Sequence, residues 1–156
     1  MENKYILLRS VTWFVCIYHF LLGVVLNCPV PWIEWTASHL LGATKMPDPS
    51  ALFLARMLGG YLMAFGLIAG LAAWDPIKNR SNLSVVVILT MFRSLQRVLQ
   101  ADDLEQTLGI TPRSNWTMIV VPLAFAAILL YFRYRIYVDM KAGFRTTADA
   151  SSIKSS

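Results

Sequence analysis

The chain has 156 residues, of which 56% are hydrophobic and only 15% are charged, with a net charge of +5 at pH 7. A soluble domain of this size has too little interior to bury so much apolar surface, so we exclude a soluble globular fold. The basic residues form no stripe with interleaved aromatic residues, which argues against a nucleic-acid partner. We therefore expect lipid to surround much of the protein.

Four stretches approach the roughly 20 apolar residues that a helix needs to cross the hydrocarbon core. They predict an all-α fold within residues 1–138, an integral membrane four-helix antiparallel bundle. The predicted spans are residues 10–27, 51–74, 83–100 and 116–133. The first span lacks the small-residue cleavage site of a signal peptide, so we interpret it as a permanent helix.

His19 lies midway along the first span, in an otherwise apolar run. One histidine is not a ligand set, and we expect its ring to hydrogen-bond within the bundle. Metal ligation and proton relay are the alternatives. Cys16 and Cys28 lie on the same predicted helix, too far apart for a disulfide. The sequence therefore predicts no metal site and no cofactor.

The first outer loop contains a predicted short helix over residues 31–42, with proline near its start and glycine at its end. Trp32, Trp35 and His39 share one face of this helix. Tryptophan favours the headgroup level of a bilayer, so the helix is predicted to lie flat on the outer interface. An ordinary anchoring loop is the alternative.

The second span carries a stripe of residues whose spacing alternates between three and four. The stripe consists of Arg56, Gly59, Met63, Gly66 and Gly70. This spacing is typical of a helix-packing seam, and the pattern Gly66-x-x-x-Gly70 allows a neighbouring helix to approach closely. Arg56 heads the stripe and falls in the outer half of the span.

The third span contains two arginines, and an arginine at the centre of a membrane helix costs about 2.5–3.5 kcal/mol on translocon-insertion scales. The position of Arg93 within the span places it near the middle of the hydrocarbon core or slightly outward. Arg93, Gln96, Arg97 and Gln100 form one stripe. This stripe must face protein or water rather than acyl chains.

The three intramembrane arginines need anionic partners, and two interpretations remain open. One is an internal ion-pair network with acidic residues of the outer loops, which are Glu34, Asp48, Asp102, Asp103 and Glu105. The other is a pocket, open to the outer side, for an anionic or carbonyl-bearing head group, because guanidinium pairs well with such oxygens. The candidate ligand-binding residues are Arg56, Arg93, Gln96, Arg97, Gln100, Glu34, His39 and Trp35.

The distribution of basic residues predicts the orientation. Nine of the fourteen lysines and arginines fall in the N-terminal segment, the second loop and the C-terminal tail, against one each in the first and third loops. By the positive-inside rule, both termini are expected on the cytoplasmic side. Residues 139–156 are small and polar, and they predict a flexible cytoplasmic tail.

The second and third spans carry motifs that resemble a known group of proteins. The motifs are Ala55-Arg56-Met57-Leu58-Gly59-Gly60, Gly66, Trp74-Asp75-Pro76 and Phe92-Arg93. They resemble the BphX-like and DoxX-like small four-helix membrane proteins of bacteria. The resemblance covers the layout of residues 10–135 and the motifs of residues 55–97. It implies a four-helix bundle in the bacterial inner membrane and carries little function with it.

The sequence has no serine elbow, HExxH motif, phosphate-binding glycine loop or paired intramembrane acids, so we assign no catalytic residue. Small size and the glycine seam favour a non-catalytic accessory or scaffold subunit that packs against other membrane proteins. The alternative is a binder or carrier of an anionic or carbonyl-bearing amphiphile, a lipid or quinone-like molecule. The expected partners are membrane lipids and other membrane protein subunits.

Overall fold

The computed structural model describes residues 5–45 and 48–153, and for residues 49–51 and 142–153 it describes the backbone alone. This part of the chain forms six α-helices and no strand. They are α1 (Ile6–Leu26), α2 (Val30–His39), α3 (Pro49–Trp74), α4 (Arg80–Leu99), α5 (Ala101–Leu108) and α6 (Pro112–Ile153). Lys4, Lys154 and the side chain of Arg145, which contribute to the charge asymmetry, lie outside the described part.

Helices α1, α3, α4 and α6 are long and apolar enough to cross a membrane, which confirms the four predicted helices. At most 28% of the most apolar stretch of each helix is buried inside the protein. Most of each helix therefore presents apolar side chains to its surroundings, as a lipid-facing surface requires. The short helix predicted in the first loop is also confirmed, as α2.

Two stretches differ from the expectation. The acidic segment after α4 is helical, forming α5, which ends at Gly109 in the left-handed conformation that glycine favours at a helix C-terminus. Helix α6 continues past residue 133 to Ile153, so the described part of the predicted tail is helical. No proline follows Pro122 in this helix, so nothing in the later sequence removes a backbone donor from the ladder of hydrogen bonds.

Helix α1 has its most extensive contact with α3, and α4 with α6, while smaller contacts join α3 to α4 and α1 to α6. Glycines form the α1–α3 contact. A Cβ atom on Gly23 would lie 2.5 Å from the carbonyl oxygen of Gly59, and one on Gly66 would lie 2.9 Å from the backbone nitrogen of Phe20. The two backbones therefore touch, which confirms the glycine stripe of α3 as a packing seam and places its partner, α1, within the chain.

Polar contacts join the helices at the end where α1 and α4 begin. The Tyr5 hydroxyl donates a hydrogen bond to the carboxylate of Asp139 in α6. The Arg9 Nε atom donates to the carbonyl oxygen of Ala73 in α3, at 3.3 Å. These contacts bring both termini of the described chain toward one end, and we call the half of the molecule that contains them the terminal half.

The loops meet at the opposite end, in what we call the loop half. The backbone nitrogens of Thr44 and Lys45 donate to the carbonyl oxygen of Leu108, at 3.0 and 3.1 Å. The Ser114 hydroxyl donates to the carbonyl oxygen of Leu41 at 3.3 Å. The first loop is thus attached to α5 and to the start of α6.

The two halves have different cores. In the terminal half, one buried cluster takes side chains from all four long helices. Its members are Tyr5, Leu8, Val15, Ala69, Ala72, Leu83, Val86, Val87, Ala126, Leu129 and Ile136. In the loop half, the buried cluster comes from α1, α2 and α3, and its members are Leu22, Leu26, Ile33 and Leu62. On α4 and α6, polar side chains lie at this level instead.

Candidate functional site

The buried face of α4 carries short side chains near its C-terminal end, and two arginines flank it. Thr90 and Ser94 are buried, and their hydroxyls donate to carbonyl oxygens one turn earlier in the same helix. Arg93 and Arg97 are part-buried at the edge of this face. Thr90 and Ser94 therefore use their hydroxyl donors within α4, and as neutral groups they do not balance the charge of the two arginines.

Arg97 is held by Asn115, in the first turn of α6. Its NH1 atom donates to Asn115 Oδ1 at 3.0 Å, and Asn115 Nδ2 donates to the carbonyl oxygen of Arg97 at 3.3 Å. Asn115 is only 5% exposed. The neutral amide fixes the position of the guanidinium group, and no carboxylate among the described residues pairs with its positive charge.

Arg93 lies one helical turn deeper, about 9 Å before the end of α4 at 1.5 Å per residue. Within the described residues it has no hydrogen bond and no ion pair, while every fully buried side-chain nitrogen and oxygen there has a partner. The guanidinium nitrogens of Arg93 are therefore accessible. Tyr18 and His19 of α1 lie near Arg93, as does the like charge of Arg97.

His19 and Tyr18 form the α1 side of this region. The His19 Nδ1 atom lies 2.8 Å from the carbonyl oxygen of Val15. A carbonyl oxygen can only accept, so Nδ1 carries a proton. The ring of His19 packs edge-on against Phe65, with 4.6 Å between ring centroids, and against Tyr18 at 5.1 Å. The expectation that His19 hydrogen-bonds within the protein is confirmed.

We call Tyr18, His19, Arg93, Arg97 and Asn115 the arginine site. It brings together residues of α1, α4 and α6 at the level where the loop-half core contains only α1, α2 and α3. The two guanidinium groups and the phenol can donate hydrogen bonds to oxygen atoms of a carboxylate, phosphate or carbonyl.

Other predicted site residues of the spans lie elsewhere. Arg56 is exposed on α3, and within the described residues no hydrogen bond or charge interaction joins it to Arg93 or Arg97. Gln96 and Gln100 are also exposed, because they lie farther round α4 from the buried face than the two arginines do. The structure thus groups two of the three intramembrane arginines.

The predicted site residues of α2 form a separate group. The rings of Trp35 and His39 stack with 4.9 Å between centroids, and Trp35 is 57% exposed. His39 Nδ1 lies 3.0 Å from the carbonyl oxygen of Trp35 and 2.9 Å from the Ser38 hydroxyl. Within the described residues, no hydrogen bond, ion pair or ring contact joins Glu34, Trp35 or His39 to the arginine site.

The acidic residues of α5 do not neutralise the arginines. No ion pair joins Asp102, Asp103 or Glu105 to Arg93 or Arg97 in the described part of the chain. The internal ion-pair network therefore lacks these contacts. Among the same residues, no group of three histidine, cysteine, aspartate or glutamate side chains is placed to hold a metal ion.

Two residues of the arginine site, Tyr18 and Asn115, were missing from the sequence-based candidates. Asn115 precedes the predicted fourth span by one residue, so it reads as part of a loop. What indicates Asn115 is that it is a polar residue which an antiparallel fourth helix would place at the depth of Arg97. Tyr18 has a comparable signal, since it adjoins the single intramembrane histidine.

Comparison of the chain with models of protein families, with curated proteins and with solved structures found no match. The resemblance to BphX-like and DoxX-like proteins stays a prediction.

Proposed function

We propose that this protein binds the anionic or carbonyl-bearing head group of an amphiphile at the arginine site. The observation that supports this most directly is the accessible, part-buried Arg93, which has no hydrogen-bond acceptor and no carboxylate among the described residues. An intramembrane charge is costly unless something compensates it. A bound anion offsets the free-energy cost of removing Arg93 from water and reduces the repulsion between Arg93 and Arg97.

The ligand is an amphiphile because the surroundings of the site are mixed. Arg93 is near the end of α4, while the neighbouring side chains of Phe92 and Leu95 are more than half exposed on the same helix. A polar head at Arg93 leaves an attached hydrocarbon chain against these apolar side chains and in the surrounding lipid. The Tyr18 hydroxyl and His19 Nε2 add further hydrogen-bonding groups for a hydroxyl or carbonyl group.

The test compares three single variants of the full-length protein, purified in mild detergent and loaded with a known probe. Phosphatidylglycerol serves as the anionic probe and decylubiquinone as the carbonyl probe, and native mass spectrometry measures the bound fraction. We expect Arg93→Gln to lower retention of one probe by about tenfold, the loss of roughly one charge-assisted hydrogen bond. Arg97→Gln has a similar effect.

Arg56→Gln is the matched control, since Arg56 is exposed and outside the arginine site. Its retention of both probes should equal that of the wild type. Equal retention in all three variants, or a loss that is as large in Arg56→Gln as in Arg93→Gln, contradicts the proposal.

The proposed setting is a four-helix antiparallel bundle in a bacterial inner membrane, with α2 on the outer interface and both termini cytoplasmic. The basic residues concentrated near the terminal half support this orientation. The exposed Trp32 and Trp35 of α2 support an interfacial position. In a background that lacks Cys16 and Cys28, an impermeant maleimide should label Ser38→Cys in intact cells and Ser81→Cys only after lysis. The reverse pattern contradicts this orientation.

A second candidate function is that of an accessory or scaffold subunit, and one face of α3 favours it. A Cβ atom on Gly60 would meet nothing within 4 Å, and Ala64, one turn later, is exposed. Small residues at this spacing allow a helix of another membrane protein to approach. Gly60→Leu should then release a co-purified larger complex on native gels while leaving the protein folded. A complex that survives this substitution, or a chain that purifies alone, counts against the role.

A further inference from the structure

A cavity of about 160 Å³ lies at the junction of α4, α5 and α6, next to the arginine site, with which it shares Asn115. Its apolar wall includes Val98, Ile110, Trp116 and Ile119, and its polar rim includes Asp102 and Glu105. At roughly 30 Å³ of liquid volume per water molecule, it has room for a group of about five heavy atoms. The apolar wall and the carboxylate rim together favour a small ligand that has both apolar groups and a positive charge.

The two carboxylates place negative charge on the rim of the cavity. Asp102 and Glu105 are one helical turn apart, and both also line an open groove of about 490 Å³ on the side of the first loop. Lys45, which lies in that groove, directs its ammonium group to the carbonyl oxygen of Gln106, at 2.7 Å. Within the described residues, neither carboxylate has a hydrogen bond or an ion pair.

We propose that this cavity binds an alkylammonium group, either free in solution or as the head of a lipid. The carboxylates supply the attraction for a positive charge. Trp116 also lines the cavity, and indole is the aromatic ring that attracts ammonium groups most strongly. The aliphatic wall accommodates the methyl or methylene groups attached to the nitrogen. A phosphate or carboxylate meets repulsion here, so the selectivity is opposite to that of the arginine site.

The inference is independent of the proposed function, because it depends on α5 and Trp116 and not on Arg93. The two sites share one residue, Asn115, which lines the cavity and also binds Arg97. Variants of Arg93 and variants of Asp102 and Glu105 therefore separate the two proposals experimentally.

The test is calorimetric titration of the full-length protein in dodecylmaltoside with decyltrimethylammonium. We expect the double variant Asp102→Asn/Glu105→Gln to bind about tenfold more weakly, the combined effect of two exposed ion pairs. Asp103→Asn is the matched control. This substitution removes the same charge from the same helix, but Asp103 lines neither the cavity nor the groove. It should stay within about twofold of the wild type, because a more distant exposed charge is screened by salt.

Equal affinity in the double variant and the wild type overturns the proposal, as does equal binding of neutral decyl alcohol. Trp116→Leu should weaken binding about threefold or more through the lost aromatic contact. If that variant fails to fold, the comparison of Asp102→Asn/Glu105→Gln with Asp103→Asn still decides, because these side chains are exposed.

The source of the ammonium group is distinguished in nanodiscs. Phosphatidylcholine discs should raise the apparent dissociation constant of the probe relative to phosphatidylglycerol discs if a lipid head competes for the cavity. Competition by choline chloride without any difference between the two discs identifies a free alkylammonium ligand instead.

Discussion

The terminal half and the loop half of this protein solve the same packing problem differently. In the terminal half, side chains from all four long helices close one apolar core, and aliphatic residues of α4 meet those of α6. In the loop half, the apolar cluster belongs to α1, α2 and α3, while Arg93, Arg97 and Asn115 lie on α4 and α6. Apolar packing among all four long helices therefore stabilises the terminal half. In the loop half, α4 and α6 contribute polar side chains that apolar packing does not require.

This division explains how the chain tolerates an unpaired intramembrane charge. Replacing a buried charge by an apolar side chain is often stabilising, so a charge that remains is evidence of a role other than stability.

Leu129→Ala should destabilise the protein most, because Leu129 is 1% exposed in the core shared by the four helices. We expect a loss of about 2 kcal/mol, at the low end of the range for leucine, because an unfolded membrane helix stays in lipid and loses packing alone. Thermal unfolding in detergent measures the change. Leu130→Ala, at a neighbouring position that is 41% exposed, should cost less than about 0.5 kcal/mol. Similar losses in both variants contradict a closed apolar core.

Asn115→Leu should cost about 1–1.5 kcal/mol, because it removes both hydrogen bonds between the start of α6 and Arg97. The same unfolding experiment measures the loss. Thr117→Val is the control, since its hydroxyl is exposed and bonds only to the carbonyl oxygen of Arg113 in its own helix. If Asn115→Leu is neutral or stabilising, the Arg97–Asn115 contact does not hold the loop half together.

Arg93→Met should stabilise the unliganded protein, by about 1 kcal/mol, because methionine removes an uncompensated charge from a partly buried position. Binding of the anionic probe should fall in the same variant, so stability and binding change in opposite directions. Arg56→Met serves as control, since Arg56 is exposed and its loss should change the unfolding temperature little. A destabilised Arg93→Met protein means that the arginine has a structural partner, which contradicts its role in binding.

Much of the fold was predictable because the physical signal is long and repetitive. An apolar run of about 20 residues identifies a membrane helix by length alone, and all four long helices follow it. The glycine seam was predictable as a packing surface, since its spacing is a property of α3 itself. Helix α5 was not, because eight residues with three acids carry no such signal. The helical continuation of α6 was obscured by a composition typical of flexible tails.

The candidate site was predictable only in part. Arg93 and Arg97 stand out because a charge within a span is expensive. The separation of Arg56 from them depends on the rotation of α3 about its own axis, which the α1–α3 contact sets and the sequence of α3 alone does not reveal. Asn115 and Tyr18 depend on which helices are neighbours, and that is a tertiary property. Sequence periodicity therefore locates the charges, while packing decides which of them meet.

The smallest expected effect concerns the contact that joins α1 to α6 in the terminal half. Tyr5 is 8% exposed, and burial together with its hydrogen bond to Asp139 raises the pKa of Tyr5 to about 12. Because the folded pKa exceeds the usual value near 10, the hydrogen bond stabilises the protein fully below pH 10, and this contribution is lost as the pH rises through about 12.

Tyr5→Phe should therefore lower the stability by about 0.5–1 kcal/mol at neutral pH. The difference from the wild type should stay constant between pH 7 and about 9. It should shrink between about pH 10 and 12, because the phenol then ionises in the unfolded chain while it stays protonated in the folded protein. Thermal unfolding across this pH series measures the difference, with Tyr61→Phe as the exposed control. A difference that persists unchanged to pH 12 means that the aromatic packing of Tyr5, and not its hydroxyl, connects the two helix pairs.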